Sequence, residues 1–242
     1  VIEDTAWPNT RAMPPPRNED DLLARAHAIG GRTIVELARM LDVPLPPSPK
    51  RAKGFVGNLV ERALGADGGS RAEPDFAGLG VELKTLPVDA RGRVRESTYV
   101  CRVPMAGTDA CEWETSRVRE KLARVLWVVV EADPKILPGR RRVGAAFLWS
   151  PSADDEALLR ADWEELTGRL GAGDVETIDA RRGTVLQLRP KAANAAVRAR
   201  AFDDEGAPVL APPRGFYLRA RFTQALLARQ GLLVTASSPG AR

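Results

Sequence analysis

The sequence predicts an α/β fold in which helices flank a central mixed sheet. Three observations carry this. Val125-Leu-Trp-Val-Val-Val130 is a continuous, mostly β-branched apolar run of strand length, as expected of a strand buried on both faces. Val143 to Trp149 reads as its neighbour. Around these lie segments with helix-start signals: Thr33 with Glu36 three residues on, and Ser152 with Asp155, each ahead of an apolar stripe of helical spacing.

The other elements come in order. Residues 1–17, with Pro8 and Pro14-Pro15-Pro16 and little apolar periodicity, read as a flexible leader. Asn18 caps a helix in which Leu22, Ala26 and Ile29 share one side, and Gly30-Gly31 ends it. The helix after Thr33 carries Ile34, Leu37, Ala38 and Leu41 and stops at Pro44; Pro46, Pro47 and Pro49 stiffen the connection to the next helix. Phe55 to Leu64 is a third helix closed by Gly65, and residues 66–74 form a loop. Residues 97–104 alternate as a strand. Trp113 to Arg124 is helical, with Thr115 or Ser116 as its cap. The longest helix runs from Ser152 to Leu170 with Leu159, Trp163, Leu166 and Leu170 facing inward. Val175–Ile178 and Thr184–Leu188 pair as a hairpin around Arg181-Arg-Gly183. Pro190 opens a short helix through Ala199. Phe216-Tyr-Leu is a short strand or turn, Phe222 to Arg229 a last helix, and 234–242 a loose tail.

Composition narrows the function classes. At 242 residues, 44% hydrophobic and 28% charged, the chain is ordinary globular material for one domain or two closely joined lobes. No apolar run has membrane-spanning length and no secretory signal is apparent, so a cytoplasmic protein with no membrane partner is expected. The net charge of +4 permits a polyanionic partner without demanding one. The basic clusters Arg140-Arg-Arg142, Arg181-Arg182, Arg189/Lys191 and Arg214/Arg219/Arg221 all fall in the second half. His27 is the only histidine and reads as structural or surface, which excludes histidine-dependent hydrolysis. Cys101 and Cys111 are too few for a structural zinc site. No phosphate-binding loop of the Gly-Lys-Ser/Thr type is present.

The chemistry concentrates between Asp75 and Val88. Strand alternation puts Glu82 and Lys84 on one face, and a turn at Gly78 and Gly80 can fold Asp75 back beside them. Two carboxylates and an ammonium suit a hard divalent cation such as Mg²⁺, which takes oxygen ligands and keeps several waters. Taken alone, the spacing better suits a solvated strand face with an ion pair, because Glu-x-Lys is a common pattern.

The wider sequence adds to this. Lys53-Gly-Phe-Val-Gly-Asn-Leu-Val-Glu61-Arg-Ala-Leu, Gly80-Val-Glu-Leu-Lys-Thr-Leu-Pro-Val-Asp89, Trp113-Glu-Thr-Ser-Arg-Val-Arg-Glu-Lys121, Arg189-Pro-Lys-Ala-Ala-Asn194 and Pro213-Arg-Gly-Phe-Tyr217 occur in that order. Together they closely resemble the MutH family of mismatch-repair endonucleases, of the PD-(D/E)xK superfamily, over residues 18–233. Pro74-Asp75 supplies the Pro-Asp dipeptide of that name, a place where family members vary. The resemblance implies a restriction-endonuclease-like fold of two lobes with a DNA cleft. It implies a Mg²⁺-dependent enzyme in which Asp75, Glu82 and Glu61 surround the metal and Lys84 and Lys121 approach the scissile phosphate. Lys53, Arg189, Lys191, Asn194, Arg214 and Tyr217 are the DNA-binding candidates. The implied reaction is nicking 5′ of G at GATC on the strand without N6-methyladenine, by a monomer switched on by MutL and, through it, MutS. Two other readings stay open at this point: a stand-alone restriction-type endonuclease, and a non-catalytic DNA-binding module of the same fold.

Overall fold

The computed structural model describes residues 13–47, 54–68, 73–104, 112–173, 182–191, 198–202, 205 and 207–232. Lys53, Cys111, Asn194, the expected strand at 175–178 and the tail at 234–242 lie outside the described residues. In chain order the elements are α1 (Glu19–Ala28), α2 (Ile34–Met40), α3 (Phe55–Leu64), β1 (Glu82–Val88), β2 (Thr98–Arg102), α4 (Arg117–Leu122), β3 (Val125–Glu131), β4 (Val143–Trp149), α5 (Ala153–Gly171), β5 (Leu186–Pro190), β6 (Ala199–Phe202), β7 (Pro208–Ala211), β8 (Arg214–Leu218) and α6 (Ala220–Arg229). They divide into two compact units. The first comprises the chain up to Arg95 with Arg124–Trp149; the second comprises Glu96–Ala123 with Ser150–Leu233.

The first unit holds the mixed sheet, in the order β1-β3-β4. β1 runs parallel to β3, with Glu82 opposite Val125 and Lys84 opposite Trp127, and β3 runs antiparallel to β4. Strand alternation then sorts the side chains. Leu83, Leu126, Val128 and Ala146 share one core with Leu22, Leu37 and Leu59 of α1, α2 and α3. Glu82, Lys84 and Trp127 fall on the other face, where the Trp127 and Trp149 rings pack at 6.2 Å between centroids.

The helix starts are the ones the sequence predicts. The Asn18 side chain accepts the Asp21 N–H at 2.8 Å. Thr33 and Glu36 make both halves of the capping box, at 3.2 and 2.7 Å. α2 ends sooner than Pro44 requires: Asp42 adopts φ 53° and Val43 N–H reaches back to Ala38 O at 2.8 Å, which closes the helix first. α3 ends at Gly65 (φ 82°), where a Cβ would lie 2.3 Å from the Pro14 carbonyl. That carbonyl also accepts from Arg25 Nη1 at 2.5 Å, so Met13–Arg17 is fastened to the first unit and is not part of a free leader. His27 is structural, its Nε2 lying 3.2 Å from the Ala146 carbonyl.

The second unit is built on an antiparallel sheet in the order β2-β8-β5, with a separate β6-β7 hairpin. The predicted helix from Pro190 to Ala199 is replaced at both described ends by strand. Pro190 closes β5, an edge strand that tolerates a residue without an N–H, and Ala199 opens β6. The segment after Trp113 is likewise broken. A single 3₁₀ turn covers Trp113–Thr115, and Ser116 then caps α4 by accepting the Arg119 N–H at 3.2 Å. Asp155, buried at the start of α5, receives a two-pronged Arg229 at 2.8 and 2.9 Å and so ties α6 to α5.

Candidate active site

The geometry around β1 begins with a sheet edge. Glu82 N–H donates to Arg124 O at 2.9 Å, in the direction of β3. The next N–H, of Leu83, therefore points outward from the edge, as alternation requires. An outward N–H needs a partner, and Asp75 Oδ2 accepts it at 2.8 Å. Phe76 and Val81 exchange two backbone hydrogen bonds, at 2.9 and 3.3 Å, to fold the chain back. Gly80 (φ 66°) makes the reversal possible. Asp67 and Gly68 both donate to Asp75 O, and a Cβ at Gly68 would meet Pro74 O at 2.2 Å. The Asp75 carboxylate is thereby pinned against the backbone between Glu82 and Lys84.

Glu82 and Lys84 meet as alternation predicts: Lys84 Nζ donates to Glu82 Oε1 at 2.5 Å. Both side chains are sheltered, 14% exposed for Lys84 and 5% for Glu82, so the pair is far from a solvated strand face. One ammonium hydrogen is used by Glu82, which leaves two for other acceptors.

Arg124 supports this arrangement in a way that no motif reveals. Its carbonyl holds the Glu82 N–H, and its guanidinium grips the Glu19 carboxylate of α1 through Nε at 2.8 Å and also through Nη2. The hydrogen bond from Arg124 holds the Glu19 carboxyl below its ordinary range despite partial desolvation. Glu61 is half-buried on α3, which packs against β1. Among the described residues no three Asp, Glu, His or Cys side chains are gathered into a metal-holding set. Two carboxylates suffice for Mg²⁺, which completes its shell with water and phosphate. The Oδ1 oxygen of Asp75 and the sheltered Glu82 fit that demand.

Of the remaining candidates, the described ones lie in the second unit. Lys121 is on α4 and 9% exposed. α4 is latched to α5, since Glu156 accepts from Arg119 Nε at 2.7 Å and from Trp113 Nε1 at 3.2 Å. In the sheet, Gln187, Tyr217 and Tyr99 stand in register across β5, β8 and β2. The Tyr99 and Tyr217 rings meet edge to face at 5.3 Å and 63°. Arg189 lies 5.6 Å from the Tyr217 ring centre, and Lys191 Nζ lies 3.8 Å from that of Tyr99. Gly215 makes room for the pair: a Cβ there would lie 2.9 Å from Tyr99 Cε2 and 3.3 Å from Tyr217 Cε2. Burial raises the Tyr217 phenol, against the pull of Arg189, so the group is neutral at neutral pH.

Arg214 is set apart from this cluster. It is three residues from Tyr217 on the same strand, so it falls on the opposite face with Phe216 and Leu218, and it is only 9% exposed. Desolvation lowers its pKa. Tyr99, Ser97 and Gln187 escaped the sequence reading because their relation to Tyr217 exists only through strand register. Asp162 escaped it too: its buried carboxylate accepts the N–H groups of Thr184, Val185 and Leu186 at 2.6 to 2.8 Å and so holds the entry to β5. The signal that could have found Tyr99 is its place in the alternating run at 97–104.

The MutH family model, described as the DNA mismatch repair enzyme MutH, matches residues 64–162, which include Asp75, Glu82, Lys84 and Lys121. The DNA mismatch repair proteins MutH of Salmonella typhimurium strain LT2 and Salmonella enteritidis PT4 are each 54% identical over 221 residues, covering 91% of this chain and 96% of the relative. MutH of Salmonella typhi matches to the same extent. The chain belongs to the MutH family. The mixed sheet of the first unit and its flanking helices are accordingly the restriction-endonuclease-like core of a MutH protein. The MutH resemblance first seen in short blocks extends over nine-tenths of the sequence.

Proposed function

We propose that this chain is a Mg²⁺-dependent endonuclease of mismatch repair that nicks duplex DNA 5′ of G at GATC, on the strand lacking N6-methyladenine. The observation that carries the reading is the Asp75 carboxylate docked on the Leu83 N–H, between Glu82 and Lys84 on a sheet edge. Asp75 and Glu82 would hold the ion. Once bound, Mg²⁺ supplies charge to the scissile phosphate and lowers the pKa of a coordinated water. The chain's own groups do the rest. Lys84 has two ammonium hydrogens beyond the one given to Glu82; one orients the attacking water and the other meets a phosphate oxygen as negative charge builds there. By family likeness alone, Lys121 is assigned as a second cation for that phosphate. The docked backbone around Asp75 and the Arg124 carbonyl under Glu82 hold both carboxylates before substrate arrives, so little reorganisation accompanies the reaction. No covalent intermediate is needed, in keeping with a lone histidine that is engaged elsewhere.

Base reading is assigned to the second unit. Arg189, Lys191 and Tyr217 form one cluster, to which Tyr99 is added; Lys53 and Asn194 are further DNA contacts by family likeness. Tyr217 meets the adenine N6 edge, where methylation adds bulk and removes one proton. The enzyme works in the cytoplasm as a monomer, since a single active site suits a nick better than a symmetric dimer would. MutL, acting after MutS, switches it on.

The test is incubation with supercoiled plasmid bearing a single GATC, in Mg²⁺ or EDTA, with and without MutL. Open circles that need both Mg²⁺ and GATC, and increase with MutL, are expected. Linear product without MutL would favour a restriction-type enzyme, and intact plasmid under every condition would sink the catalytic reading.

A further inference from the structure

The hydroxyl of Ser97 has a polarity fixed by its neighbours. Gln187 on β5 is 5% exposed, and its Nε2 donates to Ser97 Oγ at 2.7 Å. Arg189 Nη1 donates to the same oxygen at 3.4 Å. Ser97 immediately precedes β2, whereas Gln187 and Arg189 are on β5, so these bonds reach across the central strand β8 on the face that carries Tyr217. A serine hydroxyl has two lone pairs and one hydrogen. Neither a guanidinium nor an amide nitrogen can accept a hydrogen bond, so both neighbours occupy lone pairs. The hydrogen is left to point away from them, and Ser97 is half-buried with its oxygen at this face.

We infer that Ser97 is a specificity-determining residue: a donor of fixed polarity that meets an acceptor atom on a base edge in the major groove. The inference rests on the proposal that this face of the sheet meets DNA. A serine that can rotate reads donors and acceptors alike and carries little information. One whose lone pairs are spent can only donate, and so pairs with purine N7, guanine O6 or thymine O4. It rejects the amino groups of adenine and cytosine at the same place. Gln187 is then a positioning residue, acting through Ser97 without touching DNA. Its burial explains why a long polar side chain is spent here: the amide stays within reach of Ser97 only because neighbouring strands confine it.

The experiment pairs protein variants with base analogues that each delete one acceptor. 7-Deazaguanine and 7-deazaadenine remove N7, 2-aminopurine removes O6, and 4-thiothymine weakens O4. Each is placed singly in a GATC duplex. Binding is read by fluorescence anisotropy in EDTA, and nicking is read separately in Mg²⁺. Wild-type protein should bind one of the analogue duplexes about two- to tenfold more weakly than the normal one, the range for a single hydrogen bond. Ser97→Ala should bind the normal duplex more weakly by a similar factor and be indifferent to that analogue. Gln187→Glu should behave in the same way although the hydroxyl is still present, because a carboxylate accepts and turns the Ser97 hydrogen inward. Melting curves of all three proteins guard against a general loss of structure. A Ser97→Ala protein as sensitive as wild type to every analogue overturns the inference, and so does a Gln187→Glu protein with the wild-type pattern. If the wild type binds but does not nick, the anisotropy still decides the role of Ser97 and only the proposed activity falls. A wild type that does not bind GATC duplex sinks both.

Discussion

Asp75 serves two purposes that substitution can separate. Its Oδ2 accepts the Leu83 N–H at 2.8 Å, and its charge is assigned to the metal. Asparagine keeps a carbonyl oxygen for the N–H and loses the charge; alanine loses both. A hydrogen bond to a charged group is worth about 1.5–3 kcal/mol. Asp75 is half-buried, and water recovers part of that, so Asp75→Ala should cost about 1–2 kcal/mol and Asp75→Asn less than about 1 kcal/mol. At about 2–4 °C per kcal/mol for a chain of this size, alanine should melt about 2–8 °C below wild type and asparagine within about 4 °C of it. Activity should not follow this order. Both variants lose a carboxylate whose ion contributes several kcal/mol to the transition state, so nicking should fall about a thousandfold in each. DNA binding should stay near wild type, because affinity comes chiefly from phosphate contacts. The assay is nicking of a GATC plasmid in Mg²⁺, alongside anisotropy on uncut duplex and thermal melting. An Asp75→Asn protein that nicks within a few-fold of wild type would refute the metal assignment. Equal melting points for alanine and asparagine would refute the structural one.

Three further outcomes are expected. Lys84→Arg keeps the charge but replaces a compact, three-hydrogen donor with a planar fork in a site that leaves the side chain 14% exposed, so plasmid nicking should not be restored; full activity would mean only diffuse charge matters there. Tyr217→Ser should narrow the rate difference between unmethylated and hemimethylated strands while Mg²⁺-dependent cutting survives, measured on paired duplexes differing only at N6; an unchanged ratio in a folded protein would move the methyl sensor to Arg189. For Asp155, burial works to raise the carboxyl, but hydrogen bonds from Arg229 and Ser152 outweigh it and hold the folded-state value below the ordinary 3.8. A lowered carboxyl stabilises the fold above its unfolded value and loses that contribution as pH falls through the folded one. Denaturant stability below about pH 4 should therefore fall more steeply in wild type than in Asp155→Asn, and parallel curves would count against the pair.

What the sequence determined by itself is local. The capping pairs Thr33/Glu36 and Ser152/Asp155 act over three residues, and both formed as read. The apolar run at Val125–Val130 became the central strand of the mixed sheet, as its strand length and β-branched residues favour. Asp75, Glu82 and Lys84 were legible because one turn and one strand bring them together, and the neighbouring blocks were specific enough to indicate the family. What the tertiary structure alone decided depends on residues far apart or on register. Arg124 finds Glu19 across 105 residues. Asp162 reaches the N–H groups of Thr184 to Leu186 across more than twenty. Ser97, Tyr99, Gln187 and Tyr217 become neighbours only once β8 is laid between β2 and β5. Strand period also separates Arg214 from Tyr217, although both belong to one sequence block. The reading of a helix from Pro190 to Ala199 failed at its described ends for the same reason. Proline suits a first helical turn and an edge strand equally well, and only pairing with β8 distinguishes them. Hydrophobic period and caps are encoded within a turn or two of chain, whereas register and long-range partners are chosen by the packing of whole elements.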